Sequence, residues 1–532
     1  MNRTMNTTTS LAALTWVAFL FPSAARAAAP ELFLTSDNCM ACHNGLYTSK
    51  GEDVSIGIDW RGTMMAQSAR DPYWQASVRR EVGDHAPAAA AIENECSRCH
   101  MPMAHVQARA KGCTGKVFAH LGRNARKASA HLAQDGVSCT VCHQIEPDRL
   151  GKPESFVGGF VIDTSGKLPR KAMGPIAVEP PVARVMASAT GFLPAEAPHI
   201  RSSELCATCH TLITEALGPD GKPVGRLPEQ VPYLEWLQSA YKDAASCASC
   251  HMPSVPDAAP IASILAEPHK DTARHEFAGG NFLVPAMLRW LGVAMPALPQ
   301  DLDRAAARAR TLVGESAAKL AVGEVQIKEG RLEAMLTVEN LAGHKLPTAY
   351  PSRRAWLHVT VKDGGGKVIF ESGALGPDGK IAGNDNDEDP RRFEPHHTFI
   401  EKPGDVQIYE AILGDVQGRV TTGLLSASRY LKDNRILPSG FDKKKAPADV
   451  AVHGEALADE DFASGTDGVV LRIPVGHAAA PYRIEAELLY QPIGYRWAEN
   501  LRPVEGPEPR AFTRAYSALA AISYQRMAWA ER

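Results

Sequence analysis

The sequence predicts a multidomain protein: a mainly α-helical and irregular N-terminal domain, followed by an all-β C-terminal domain of the antiparallel-sandwich type. Three observations predict it. All 11 cysteines lie between Cys39 and Cys250, ten of them in closely spaced pairs. That stretch is broken by Gly174-Pro175, Glu179-Pro180-Pro181 and Gly218-Pro219, pairs that punctuate loops rather than long elements. Beyond residue 320 the chain turns to short alternating apolar segments without cysteine, separated by turns such as Lys362-Asp363-Gly364-Gly365-Gly366. Strands at that rhythm are those of a sandwich. At 532 residues there is room for two or three domains. The expected division is a signal peptide at 1–27, a first domain at 28–300, a linking helix at 301–320 and a β-domain at 321–532.

Taken in order, the N-terminus comes first. Arg3, the apolar run at residues 11–21 and the small-x-small site Ala25-Arg26-Ala27 read as an export signal cut after Ala27. The run falls short of the ~20 residues that span a bilayer, and no later segment is apolar enough to do so. The mature chain is therefore expected to be soluble. Helices are expected at residues 63–70, 73–82 and 86–96, the last Ala-rich and opening near Pro87. The Ala/Arg-rich run at 301–320 reads as one helix. Strands are expected at residues 324–328, 331–338, 355–362, 367–371, 407–412, 468–473 and 482–490.

The ten cysteines form five identical frames: Cys39-x-x-Cys42-His43, Cys96-x-x-Cys99-His100, Cys139-x-x-Cys142-His143, Cys206-x-x-Cys209-His210 and Cys247-x-x-Cys250-His251. Residue frequencies give one such pentapeptide by chance in about one of a hundred similar chains, so five are not chance. Two thiols three residues apart on one helical turn reach the two vinyl groups of one porphyrin. The next side chain then presents a neutral imidazole to the iron. Structural zinc needs paired Cys-x-x-Cys units and fixes no histidine after each second cysteine. Export favours disulfides, but these too leave five histidines unexplained. Five covalently bound c-type haems are the expected cofactors. With the motifs 41 to 67 residues apart, the porphyrins themselves are expected to serve as the first domain's core.

Each iron has a sixth position, whose occupant separates a carrier from a catalyst. Of 18 histidines, five are proximal and seven more lie in the first domain: His85, His105, His120, His131, His199, His269 and His275. His131 and His199 precede the third and fourth motifs closely, a place from which a histidine serves a neighbouring haem. His275 is the strongest candidate, because Gly279-Gly280 lets backbone pass close to a porphyrin face. Met65 offers a thioether, while Met101 and Met252, each before a proline, are expected to pack locally. In the β-domain, His344 in Asn340-Leu341-Ala342-Gly343-His344-Lys345-Leu346-Pro347-Thr348 reaches toward the domain junction, and His396 and His397 are a further pair that could face it. Cys113, left over between Lys111 and Lys116, reads as incidental rather than as an axial thiolate. The acidic loop at residues 384–389 could hold calcium but lacks the glycine and closing glutamate of an EF-hand, so a solvated loop is expected.

Residues 35–285 resemble the multihaem cytochromes related to the tetrahaem carrier that receives electrons during bacterial hydroxylamine oxidation. The resemblance rests on Thr63-Met64-Met65-Ala66-Gln67-Ser68-Ala69-Arg70-Asp71-Pro72, the two Cys-x-x-Cys-His-Met-Pro sites, Gly136-Val137-Ser138 before Cys139, and His275-x-Phe277-x-Gly279-Gly280-Asn281. It implies close-packed haem pairs and a histidine such as His275 reaching a haem from downstream. Loops similar to the one holding His344 follow haem domains in other multihaem cytochromes. The fifth motif and the long β-rich extension depart from the tetrahaem pattern.

The formal charge of −3 is nearly balanced, and haem propionates would make the loaded protein more acidic. Nothing suggests nucleic-acid binding. The expectation is an exported pentahaem cytochrome, periplasmic or otherwise extracytoplasmic, passing electrons between redox partner proteins, soluble or held at a membrane through a partner. The alternative is a multihaem oxidoreductase in which one open-coordination haem acts on a small nitrogen or sulfur compound. No motif histidine is replaced by lysine, and distal histidines are plentiful; both favour the carrier.

Overall fold

The computed structural model describes residue 1, residues 30–292 and residues 297–532. The expected export signal and its cleavage after Ala27 lie outside the described residues. No described helix is long and apolar enough to cross a membrane.

The N-terminal half consists of short helices joined by irregular chain. Its longest helix, Pro72–Asp84, is capped by the Asp71 carboxylate, which accepts from the Tyr73 and Trp74 amides. Proline at the first helical position suits that start. Ala86–Ala88 and Ala89–His100 follow and carry the second motif on their last turn. Residues 63–70, expected as a helix, are a chain of turns instead. The Met65 carbonyl that a helix would use accepts from the Val137 amide at 2.9 Å, and the Gln67 side chain donates to the Arg61 carbonyl at 2.8 Å. Tertiary partners thus take over the groups a helix would pair internally. Between the third and fifth motifs, two small sheets occupy chain expected to be irregular: Arg170–Gly174 with Phe192–Glu196, and Leu212–Leu217 with Pro223–Gln230.

The helix Pro299–Ser316 occupies the expected linking position but ends early. Ala318–Val322 leaves it to pair with Arg331–Asn340. That pairing opens the first of two large sheets, in the order Phe399–Ile400, Thr466–Pro474, Arg331–Asn340, Ala318–Val322. The second runs Val420–Thr421, Ile408–Asp415, Arg354–Lys362, Arg483–Gln491, Gln525–Glu531. Alternation sets which face is buried: Leu332, Ala334, Leu336 and Val338 turn inward from one sheet and Leu357, Val359, Val361, Ile484, Ala486 and Leu488 from the other. All seven expected strands are present, within three residues of their expected ends.

The core between the sheets does not stop at the domain boundary. Tyr73, Ala76, Phe282, Val284, Met287 and Leu288 from the N-terminal half join the same buried cluster. Helix Pro507–Leu519 returns from the far end of the chain to lie on Pro72–Asp84, with Phe512 against Tyr73 and Glu508 accepting from Arg79 at 2.9 and 3.0 Å.

Candidate haem-binding centre

Each motif lies on or ends at one helical turn. The amides of His43, His143 and His210 donate to the carbonyls of Cys39, Cys139 and Cys206, each at 3.0 Å. The other two motifs close Ala89–His100 and Cys247–His251. This turn brings two thiols and an imidazole to one side, as the spacing required. All the cysteines are free thiols. Thiols of different motifs are neighbours: Cys39 with Cys139, Cys99 with Cys209, Cys206 with Cys247. Cys142 lies near Cys206 and Cys209. The five attachment sites therefore adjoin as a row, first–third–fourth–fifth, with the second beside the fourth.

Four of the five proximal imidazoles are held in one tautomer. Nδ1 of His43, His100, His143 and His251 donates to the carbonyls of Ile261, Ser68, Met173 and Ala278 at 2.5, 3.0, 2.6 and 2.6 Å. A carbonyl only accepts, so Nδ1 carries the proton and Nε2 keeps its lone pair for a metal. Trp74 stacks on His100 with ring centres 4.2 Å apart and planes 5° from parallel, which fixes the rotation of that imidazole.

Two histidines stand opposite proximal ones. The rings of His143 and His275 are 6.4 Å apart and 19° from parallel, and those of His251 and His344 are 6.3 Å apart and 12° from parallel. Two metal–nitrogen bonds of ~2.0 Å, plus the ~1.1 Å from nitrogen to ring centre on each side, give roughly 6.2 Å. The gaps are the width of one metal ion with an imidazole on either face. Nδ1 of His275 donates to the Ala273 carbonyl at 3.1 Å and Nδ1 of His344 to the Lys345 carbonyl at 2.9 Å. Nε2 of all four histidines thus keeps its lone pair. By this test the residues fit haem iron at the third and fifth motifs.

The remaining candidates show no such pairing with a proximal ring among the described residues. His85 is buried with Nδ1 toward the Gly218 carbonyl and Nε2 toward the Ser426 hydroxyl, so both nitrogens are committed. His199 donates Nε2 to the Ile145 carbonyl at 2.8 Å. His105 is tied through Nδ1 to Ser97, and burial pushes its pKa down to about 4. His131 is exposed, His269 half-buried, and His120 has a buried Nδ1 without a partner. Met65 is half-buried in the turns before the Asp71 cap. Met101 is fully buried in a local cluster with Trp74 and Val117, as expected.

The loop carrying His344 is fixed from two sides. Asn340 donates to the carbonyls of His344, Ile436 and Leu437 and accepts from the Ala342 amide. Glu235, from the N-terminal half, accepts from the Lys345 amide at 3.1 Å and the Thr348 hydroxyl at 2.5 Å, and pairs with Arg435 at 2.9 Å. Asp433 completes the group, accepting from Lys345 at 2.6 Å and from both arms of Arg435 at 2.8 Å. Arg353 lies close enough to His210, His344 and Tyr490 for its charge to act on all three. The Tyr490 hydroxyl is buried without a protein partner. Sequence reasoning reached His275 and His344 but missed Trp74 and Glu235; neither carries a local motif, and both matter through partners distant in the chain.

The other singled-out residues are engaged elsewhere. Asp387 accepts both arms of Arg354, Asp389 pairs with Arg391 and Asp385 with Arg392, so the acidic loop's carboxylates face cations of the chain itself. Cys113 is exposed. His397 faces Glu394 at 2.8 Å. His396 forms with Asp459 and Asp467 a group of metal-like composition, but its Nδ1 accepts from the Gln407 and Asn434 amides. Those amides are oriented by the backbone N–H groups of His397 and Glu410. Nε2 must therefore carry the proton, which it directs to Asp459 at 3.1 Å.

Compared with known proteins, the chain is similar to the crystal structure of a penta-haem cytochrome c552 from Thermochromatium tepidum. The TM-score is 0.53 and the identity 18%, with 94% of this chain and 99% of that chain covered. It shares that fold. No family model matches, and neither does any curated protein. At this identity the likeness speaks for architecture, and it extends across both halves, including the β-rich extension that the tetrahaem pattern lacks.

Proposed function

We propose that this chain is an exported cytochrome c that holds five haems through its ten motif cysteines and carries electrons between redox proteins outside the cytoplasm. The single observation that carries the reading is the pair of imidazole gaps, His143/His275 and His251/His344, each sized and protonated for one metal ion. Haem bound there would supply an iron couple that gains and loses one electron. The chain's part is to hold and tune. Carbonyls on Nδ1 keep Nε2 available and raise its basicity. Imidazoles on both faces leave no room for a substrate, which suits a carrier. Adjoining attachment sites form a continuous row, so each group they hold has a near neighbour. Export follows from the N-terminal segment and from the extracytoplasmic chemistry of covalent haem attachment, and supports a periplasmic location.

The test is mass spectrometry of protein made in a maturation-competent host, followed by EPR of the oxidised form. Five added haem masses and at least two bis-imidazole low-spin signals are expected. Fewer than five added groups overturns the reading.

A second reading has its own observation. Among the described residues no imidazole stands parallel to His210, while Arg353 lies near it and the Tyr490 hydroxyl is buried without a partner. A cation near that attachment site, with a buried phenol within reach of the same cation, could orient a small nitrogen or sulfur oxyanion and deliver a proton. We propose this oxidoreductase role as the alternative. It requires a high-spin EPR signal that changes on adding nitrite or hydroxylamine and is weakened by Arg353→Gln; an all-low-spin spectrum excludes it.

A further inference from the structure

We infer that Glu235 is the positioning residue for His344, and that the four buried charges Glu235, Arg435, Asp433 and Lys345 exist to set that ligand rather than to stabilise the fold. The inference rests on the proposed role of His344 as sixth ligand at the fifth motif. Glu235 and Lys345 are 0% exposed, Asp433 1% and Arg435 5%. Two cations and two anions so deeply buried gain little net stability, since desolvation offsets their attraction and apolar residues of similar volume would serve as well. What they give is direction. Glu235 sits on Pro232–Trp236 in the N-terminal half, twelve residues before the fifth motif begins, and its carboxylate grips the ligand loop at both ends of the peptide that follows His344. The Lys345 amide belongs to the same residue as the carbonyl that fixes the His344 tautomer. The same carboxylate pairs with Arg435, and Arg435 with Asp433, which in turn holds the Lys345 side chain. The half that carries the proximal imidazole and the half that carries the distal one are thereby keyed together at the peptide where the distal one is mounted.

The group is neutral as it stands. Removing the Glu235 charge leaves one net positive charge beside His344, which disfavours the oxidised iron. Position and potential are therefore separable.

The experiment uses full-length holoprotein with its haem content verified by mass. Glu235→Gln, which keeps the shape and can still accept from the Lys345 amide and Thr348, is expected to remain fully low-spin while one haem titrates at a more positive potential. Glu235→Ala is expected to convert one low-spin haem to high-spin, as His344→Ala does, and the double variant to show no second conversion. Should Glu235→Ala fail to fold, Glu235→Gln and Thr348→Val decide; Thr348→Val is expected to perturb the same low-spin signal alone. A His344→Ala spectrum identical to wild type refutes the ligand reading itself. If His344→Ala does convert one haem but Glu235→Gln leaves every potential unmoved, or a folded Glu235→Ala leaves the spectrum unmoved, the positioning role is overturned and the ligand reading stands.

Discussion

His275 and Asp467 show how differently a single buried side chain can be used. His275 stands across one metal's width from His143 with its Nε2 lone pair free, so His275→Ala should leave five haems attached and open one of them. One high-spin signal per molecule, able to bind carbon monoxide, is the expected EPR and optical result; an unchanged spectrum would remove His275 from the ligand set. Asp467 is a cost rather than a device. Burial pushes its pKa up to about 7 from an ordinary 3.8, against the lowering effect of the Tyr409 hydroxyl on the same carboxyl, while Asp459 and Asp461 nearby push it higher still. Lys443 offsets only part of that local negative charge. The folded state therefore holds this proton above the pH at which the unfolded chain loses it. Its contribution is present below about pH 4 and is lost as pH rises through about 7, at up to ~1.4 kcal/mol per pH unit. Asp467→Asn should accordingly gain stability relative to wild type between pH 4 and 7, in paired thermal melts; a pH-independent difference would show that the group does not titrate there. At this scale the sequence was most legible where chemistry demands a spacing, at the five Cys-x-x-Cys-His frames. It was least legible for Trp74 and Glu235, whose roles come from partners 26 residues and about a hundred residues away.

The segment from Asn340 to Thr348 is an element whose conformation is set by one amide. Asn340 satisfies three carbonyls and one N–H from a site only 2% exposed. Asn340→Ala should cost roughly 2–4 kcal/mol by stranding those buried groups. It should also loosen His344 enough to broaden one low-spin signal, checked by denaturant titration and EPR on the same preparation. An effect on stability with a wild-type spectrum would assign Asn340 to the fold alone. Strands were most legible where one face meets a core and alternation is forced: Arg331–Asn340 and Thr466–Pro474 bury every second side chain. Residues 318–320 were read as the end of the Ala/Arg-rich helix, but pairing with Arg331–Asn340 overrides that local preference. The turns at residues 63–70 failed in the same way, through the Val137 amide on the Met65 carbonyl. Gln525–Glu531 was not recognised, an edge strand with Trp529 exposed and so without a clean alternation to read.

The two halves divide in the sequence, yet their cores are one. Tyr73 packs on Phe512, Glu81 accepts from the Leu424 and Leu425 amides, and the Tyr430 hydroxyl donates to the Pro228 carbonyl at 2.6 Å. The Leu217 amide donates to the Leu425 carbonyl at 2.6 Å and the Ala240 amide to the Ser439 carbonyl at 2.7 Å. With the proposed haems fixed covalently in one half and the proposed ligand His344 supplied by the other, neither half could relax without disturbing both. Thermal unfolding should therefore be a single event, with loss of β-sheet circular dichroism and loss of the low-spin haem spectrum superimposing on one curve. Phe512→Ala sharpens the test, because this residue belongs to the β-half and is 0% exposed against the helix Pro72–Asp84. It should cost about 3–5 kcal/mol and move both curves down by the same amount, although residue 512 lies far along the chain from every motif. Two separated transitions, or a haem transition that stays in place while the β-sheet signal shifts, would mean that the junction is a contact between independent bodies, and a ligand such as His344 could then not be held through it.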